Sequence, residues 1–310
     1  MEITFLNPIY LWTLLVVPVL VVLYFFSLKY SKLMALKFSN FSALSRVSGA
    51  IGEESNIPVL IIRVAALIFI ILSISGMTLW YIGTSANNDY VLAIDSSASM
   101  MQNDFSPNRL EVAKTAANNF VDNLPFSSKV AIVSFSGVSF VNQPLTGDKS
   151  LMKEAISSIN SKAIGGTDLG GAIITSTNLL IPSKKSRMII LLTDGRSNIG
   201  ISEKTGLSYA LDNHVVVHTI GIGATKIIDN KTSLSLGINE DTLKKMADLT
   251  LGNYYHASNS NDLKNIYKNI VVTRTRGRIP FDFSFPLLLV SLGLLIFDWF
   301  LGGTIYRRIV

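Results

Sequence analysis

Cysteine is absent from all 310 positions, which excludes a disulfide scaffold, a thiolate zinc site, an iron–sulfur cluster and a cysteine nucleophile. Histidine is nearly as scarce: His214, His218 and His256 share no metal-ligand spacing and read as structural or surface groups. No GxSxG elbow, P-loop or glycine-rich dinucleotide fingerprint stands at a strand–helix junction. Charge is also short. Charged residues make up 15% of the chain against 49% hydrophobic, where a soluble globular protein carries roughly a quarter charged. That much apolar surface excludes disorder. The formal charge of +6 is uneven, because residues 85–273 hold 17 Lys/Arg and 16 Asp/Glu while the rest hold 10 and 5. The basic excess lies on the flanks, so no nucleic-acid partner is implied.

Three apolar runs hold the hydrophobicity: Ile9–Leu28 without a charge, Ile57–Ile82 with Arg63 alone, and Pro286–Tyr306 with Asp298 alone. Each is about 20 residues or more, and at about 1.5 Å per residue each can cross a hydrocarbon core about 30 Å thick. Tyr10, Trp12, Trp80, Tyr81, Trp299 and Tyr306 sit near the ends of the runs, where interfacial aromatics belong. No Lys or Arg precedes residue 29, so the first run reads as a retained span rather than a cleaved signal peptide. Lys29, Lys32, Lys37 and Arg46 in the loop 29–56, with Arg307 and Arg308 in the tail, mark the cytoplasmic side. The expectation is a multi-pass cell-membrane protein whose long middle segment lies outside; Arg274, Arg276 and Arg278 oppose that orientation. The stretch RTRGR at 274–278 reads as a solvated linker, with contact to anionic lipid as the alternative. Arg63 can snorkel, and Asp298 can pair with it or with a partner helix. The expected division is a membrane region 1–84 with helices at about 9–28 and 57–82, a globular domain 85–273, and a linker and closing helix (about 286–306) over 274–310.

Between residues 89 and 272, short β-rich runs alternate with helical ones. The strands are Tyr90–Ile94, Val130–Phe135, Met188–Leu192, Val215–Ile222 and Tyr254–Tyr255. Helical periodicity covers 109–124, 151–159, 169–180, 203–211, 241–249 and 262–272. Continuous apolar strands, each followed by a helix, predict an α/β fold with a doubly wound, mainly parallel sheet beside the three transmembrane helices. Right-handed crossovers place the loops after the strands on one edge, where open α/β sheets bind ligands. Residues 226–238 show no periodicity and read as an inserted loop.

Asp95 and Asp194 both fall on that edge. The loop Asp95-Ser96-Ser97-Ala98-Ser99 offers a carboxylate and two hydroxyls at alternate positions, and Thr167 adds a third hydroxyl in GGTD. Hard oxygen donors without His or Cys suit Mg2+, with Mn2+ or Ca2+ as alternatives, better than zinc. Singly, each group has an ordinary structural use: Asp95, Ser99, Thr167 and Asp168 as helix caps, Asp194 in an Asx-turn. Asp168 in particular reads as a cap or a solvated group.

In order along the chain, IDSSASM, GGTDLGGAI and LLTDGRSN resemble the von Willebrand factor A domain and its metal-ion-dependent adhesion site, over roughly residues 87–272. The resemblance places the metal ligands at Asp95, Ser97, Ser99, Thr167 and Asp194. It implies a non-catalytic protein that captures a partner's Asp or Glu carboxylate on the bound cation. The segment FLNPIYLWTLLVVPVL, a second span carrying Arg63 and one closing helix look like the Bat aerotolerance proteins of the BatA kind. That likeness implies association with other Bat-like A-domain proteins and a MoxR-type AAA+ ATPase, in envelope maintenance or stress tolerance. Two alternatives stand beside it. One is a phosphatase-like metal-dependent hydrolase using Asp95, although position 97 is Ser where such enzymes keep a second acid. The other is an accessory subunit of a membrane transporter.

Overall fold

The computed structural model describes residues 2–35, 57–85, 88–161, 165–195, 197–223, 239–272 and 275–304. Lys37, Arg46, Arg274, the loop 226–238 and the tail residues Tyr306, Arg307 and Arg308 lie outside the described residues. The chain forms two compact units, Met1–Trp80 with Phe281–Val310, and Tyr81–Pro280.

The first unit begins with strand β1 (Glu2–Phe5) and a 3-10 segment, Pro8–Leu15, that runs into helix α1 (Val16–Ala35). Pro18 lacks the N–H that would bond Leu14, so regular α-helix starts only at Val16. Helix α2 (Ile57–Ile74) follows, and α9 (Ser284–Thr304) closes the chain. Pro8–Ser27, Ile57–Ile74 and Ser284–Leu301 are long and apolar enough to cross a membrane, with mean hydropathies of 2.5, 2.8 and 2.0. Only 6%, 17% and 6% of the three segments is buried, which leaves many apolar side chains open to lipid, although most of Ile57–Ile74 is partly covered.

The run expected as one helix over 57–82 instead divides at Gly76. This residue has φ +70°, and a Cβ there would meet Leu6 Cβ at 2.7 Å, so only glycine fits. Beyond it, strand β2 (Met77–Ser85) is rich in β-branched and aromatic residues. It pairs antiparallel with β1, where Trp80 Nε1 donates to Thr4 Oγ1 at 2.9 Å. The stretch expected as a solvated linker also differs, because Thr275–Asp282 forms strand β9, the third strand of the sheet β1-β2-β9.

Arg63 and Asp298 form an ion pair between α2 and α9, with Arg63 Nε donating to Oδ1 at 3.1 Å and Oδ2 at 3.0 Å. Two charges that are each costly in a span thus neutralise one another.

In the second unit the order is β3 (Asn88–Asp95), α3 (Arg109–Asn123), β4 (Val130–Phe135), β5 (Ser139–Thr146), α4 (Lys149–Ser157) and α5 (Leu169–Leu180). It continues through β6 (Ser186–Thr193), α6 (Glu203–Asp212), β7 (Val215–Ile222), α7 (Glu240–Leu249), β8 (Tyr254–Ala257) and α8 (Ser260–Val272). The sheet order is β5-β4-β3-β6-β7-β8, all parallel except β5. Strand β5 has no counterpart among the strands expected from sequence. It is a half-buried edge strand whose Pro144 needs no ladder partner.

Residues alternate across β3. Tyr90, Leu92 and Ile94 enter a core with Phe120 of α3 and Tyr267 of α8, whereas Val91 and Ala93 enter a second core with Leu169 and Ile173 of α5. Helices therefore cover both faces, as the continuous apolar strands predicted. Winding reverses between β3 and β6, which opens a crevice at their carboxyl ends.

Candidate metal centre at the sheet edge

Asp95 ends β3, and the register Ile94↔Leu192 puts it beside Thr193, with Asp194 one residue further on. Asp95 is fully buried. Its Oδ1 accepts the Ser97 N–H at 2.8 Å and its Oδ2 accepts the Thr193 hydroxyl at 2.7 Å. The Ser97 and Ser99 hydroxyls lie 2.9 Å apart, so the alternate positions of the loop do face one place. Ser96 points away and anchors the loop, both its N–H and its hydroxyl donating to the Phe135 carbonyl at 2.7 and 3.0 Å.

Thr167 is buried and arrives on the loop before α5. Gly166 precedes it at φ +91°, and a Cβ there would strike Ile199 Cδ1 at 2.6 Å. The Thr167 backbone is stitched to the loop after β6: its N–H donates to Asn198 Oδ1 at 2.8 Å, and its carbonyl accepts the Asn198 N–H at 3.2 Å. Asp168 caps α5, accepting the N–H groups of Gly171 at 2.7 Å and Ile201 at 3.0 Å. Its own N–H donates to the Ser136 carbonyl at 2.8 Å, which ties this loop to the end of β4. Asp194 is buried, and its carbonyl accepts the Asn239 N–H at 3.2 Å. Three loops from one sheet edge thus meet, bringing Asp95, Ser97, Ser99, Thr167 and Asp194 to the same end of β3 and β6.

Burial raises Asp95 to a pKa of about 6; the Ser97 and Thr193 hydrogen bonds pull it back down, and the neighbouring Asp194 charge pushes it up. No Lys or Arg among the described residues offsets this. Two neighbouring buried carboxylates with hydroxyls beside them are the kind of donor set that a hard divalent ion satisfies. Among the described residues no three His, Cys, Asp or Glu gather around one point, so a zinc-type ligand cluster is not formed there.

The histidines stand apart. His218 is buried in β7, where Nδ1 accepts the Asn253 N–H at 3.1 Å and burial lowers its pKa to about 4. His214 Nδ1 lies 2.6 Å from Arg278 Nη1 of β9, and His256 Nδ1 lies 3.7 Å from Glu240 Oε1. Sequence reasoning did not single out Thr193 or Asn198 as supports of the site. Thr193 stands next to Asp194 in LLTDG, but only the strand register shows that its hydroxyl reaches Asp95.

The fold has counterparts among known proteins. Residues 90–196 match the von Willebrand factor type A domain family, and residues 1–76 match the aerotolerance regulator N-terminal family. A protein from Nocardia farcinica named UPF0353 protein is 25% identical over 303 residues, covering 88% of each chain. The solved structure of BatB from Bacteroides thetaiotaomicron is 29% identical, covers 59% of this chain and 96% of its own, and gives a TM-score of 0.51. An aerotolerance-related membrane protein from Bacteroides fragilis, 26% identical, covers 59% and 98% with the same TM-score. Residues 90–196 thus match a von Willebrand factor A domain, and the whole chain, with three helices long and apolar enough to cross a membrane, is similar to the Bat aerotolerance proteins.

Proposed function

We propose that the A domain binds partner proteins through a divalent cation, Mg2+ foremost, at Asp95, Ser97, Ser99, Thr167 and Asp194. The observation that supports this reading is that the Asp95–Ser99 loop, the Thr167 loop and Asp194 all lie at the end of the sheet where the winding reverses, with the Ser97 and Ser99 hydroxyls 2.9 Å apart. Bound there, the ion supplies a Lewis-acid position that a partner's Asp or Glu can complete. The chain's own residues orient the donors: Thr193 and the Ser97 N–H fix the Asp95 carboxylate, and Asn198 holds Thr167. Both Asp95 oxygens are already engaged, which favours a held ligand over a free nucleophile and so supports binding without catalysis.

The likeness over residues 1–76 supports membership of a Bat-like membrane complex, with other A-domain proteins and a MoxR-type AAA+ ATPase as partners in envelope maintenance or stress tolerance. The basic loop 29–56 and tail support a cytoplasmic side there and the A domain outside. Cross-linked purification of the full chain from membranes tests the reading, with divalent cation or chelator and with wild type or Asp95→Ala. A partner recovered only by the wild type with cation is the expected result. Equal recovery by a folded Asp95→Ala, or in chelator, overturns it.

A further inference from the structure

The opposite edge of the six-stranded sheet carries a different surface. Four segments meet there: the start of β3, the α3–β4 loop, the β5–α4 turn and the α5–β6 loop. Phe126, in the α3–β4 loop, is 100% exposed, and Leu151 and Ile181 on the same edge are exposed as well. Lys149 Nζ stands 5.5 Å from the Phe126 ring centroid. Lys185 Nζ donates to the Ser127 carbonyl, tying the α5–β6 loop to the loop that carries Phe126.

Cations dominate this edge. Lys129 and Lys184 form no ion pair with any described carboxylate. Asp89 is buried and already engaged: it accepts the Lys129 N–H at 2.9 Å and the Ser183 hydroxyl at 2.7 Å, with Lys185 Nζ at 3.4 Å. Asp122 is paired with Lys153 at 2.6 Å, and Asp148 caps α4 through the Ser150 N–H at 2.8 Å. A cleft of about 590 Å³ opens beside them, lined by Leu145, Leu179 and Pro182 together with Lys129, Lys184 and Lys185.

We propose that this edge docks on the anionic surface of a lipid bilayer. Phe126 enters the interface, and Lys129 and Lys184 engage lipid phosphates; Lys149, whose Nζ donates to the Asp122 and Leu124 carbonyls at 2.9 and 3.2 Å, and Lys185 add positive charge beside them. An aromatic ring wholly in water gains by entering the headgroup–acyl boundary, and lysine amines beside it are drawn to anionic lipid. The chain brings its own bilayer: Asn88, the first residue of β3, follows Ile74, the last residue of the second candidate span, by 88 − 74 = 14 residues. A tethered surface meets the edge at high effective concentration, which a free acidic protein does not.

The lack of native cysteine makes the test direct. The full chain with Ser127→Cys, labelled with an environment-sensitive fluorophore, is placed in nanodiscs of phosphatidylcholine alone or with about a third phosphatidylglycerol. Val138→Cys, in the turn at the other end of β4, serves as the control. The expected result is a blue shift at position 127 and quenching by shallow doxyl lipids in the anionic discs only, weakening as salt is raised. Lys129→Gln with Lys184→Gln should lower the docked-to-undocked ratio about 30-fold, at roughly one decade per 1.4 kcal/mol and about 1 kcal/mol per lysine. Phe126→Ser, at a fully exposed position, should reduce quenching without touching the fold. Three results overturn the proposal: no lipid-dependent change at 127, equal quenching in phosphatidylcholine, or equal quenching at 138. Protection of the label by an acidic polyglutamate peptide but not by lipid would also overturn it, reassigning the edge to a protein partner.

Discussion

Replacing Thr193 by Val tests whether the site is held by its surroundings as described. The change keeps the shape of a fully buried side chain and removes one hydroxyl. That hydroxyl donates to Asp95 Oδ2 at 2.7 Å and accepts the Gly195 N–H at 3.1 Å. A hydrogen bond to a charged group contributes about 1.5–3 kcal/mol, and an orphaned buried N–H costs about 1–3 kcal/mol. The first loss falls on the orientation of Asp95 and the second on the fold. Removing a group that orients a ligand typically weakens metal affinity by about 10- to 100-fold. Thr193→Val should therefore bind Mn2+ at least about tenfold more weakly than wild type, while Thr193→Ser, which keeps the hydroxyl, stays close to wild type. Calorimetric titration of the full chain in nanodiscs reads the affinity, with a thermal melt to confirm that each variant is folded. Affinity in folded Thr193→Val within about twofold of wild type would refute the claim that this hydroxyl positions Asp95.

Two further perturbations probe the membrane unit and the sheet. Arg63→Leu or Asp298→Leu alone leaves a lone charge in a span, at about 2.5–3.5 kcal/mol, whereas the double variant leaves none. Resistance to unfolding in sodium dodecyl sulfate should fall in each single variant and largely recover in the double; additive losses would contradict the ion pair. His218 has a folded pKa of about 4 against 6.5 in the unfolded chain. The unfolded chain therefore takes up this proton first as pH falls. Its contribution to stability is complete above about pH 6.5 and is lost as pH drops toward 4, by about 3 kcal/mol in all. Asp95 acts in the opposite direction over part of that range, but equally in wild type and in His218→Asn, so it cancels in their difference. Denaturant unfolding at several pH values should show wild type losing ground to His218→Asn below pH 6.5, and a pH-independent difference would refute the assignment.

The α/β core was legible because the parallel strands β3, β4, β6 and β7 are buried on both faces. YVLAI, VAIVSF, MIILL and VVVHTIGI are continuous apolar runs, and each helix after them repeats its apolar stripe at helical spacing. Strand β5 was not legible: Ser139–Thr146 is half exposed, contains a proline and pairs through register shifts, so it lacks both alternation and continuity. Hydropathy alone ran the second span on to Ile82, because Trp80, Tyr81 and Ile82 are as apolar in a strand as in a helix. Only the obligate glycine at 76 marks the break. RTRGR looked like a linker because its charges outweigh its single strand-forming threonine, yet from Thr275 onward it is strand, beside β2 in the sheet β1-β2-β9. At the site, the five oxygen-bearing residues were visible as motif positions. The supports were not, since Thr193 reaches Asp95 across strands and Asn198 reaches Thr167 across loops, contacts that local spacing does not encode.

Electron paramagnetic resonance of Mn2+ titrated into the full chain measures ion capture most directly, because the free-ion signal disappears as the ion binds. Wild type should remove one equivalent of signal per chain and release it to excess Mg2+, whereas a folded Asp95→Ala should leave that signal free. Undiminished signal with wild type, or equal uptake by the variant, would contradict the assignment of Asp95, Ser97, Ser99, Thr167 and Asp194 as a cation site.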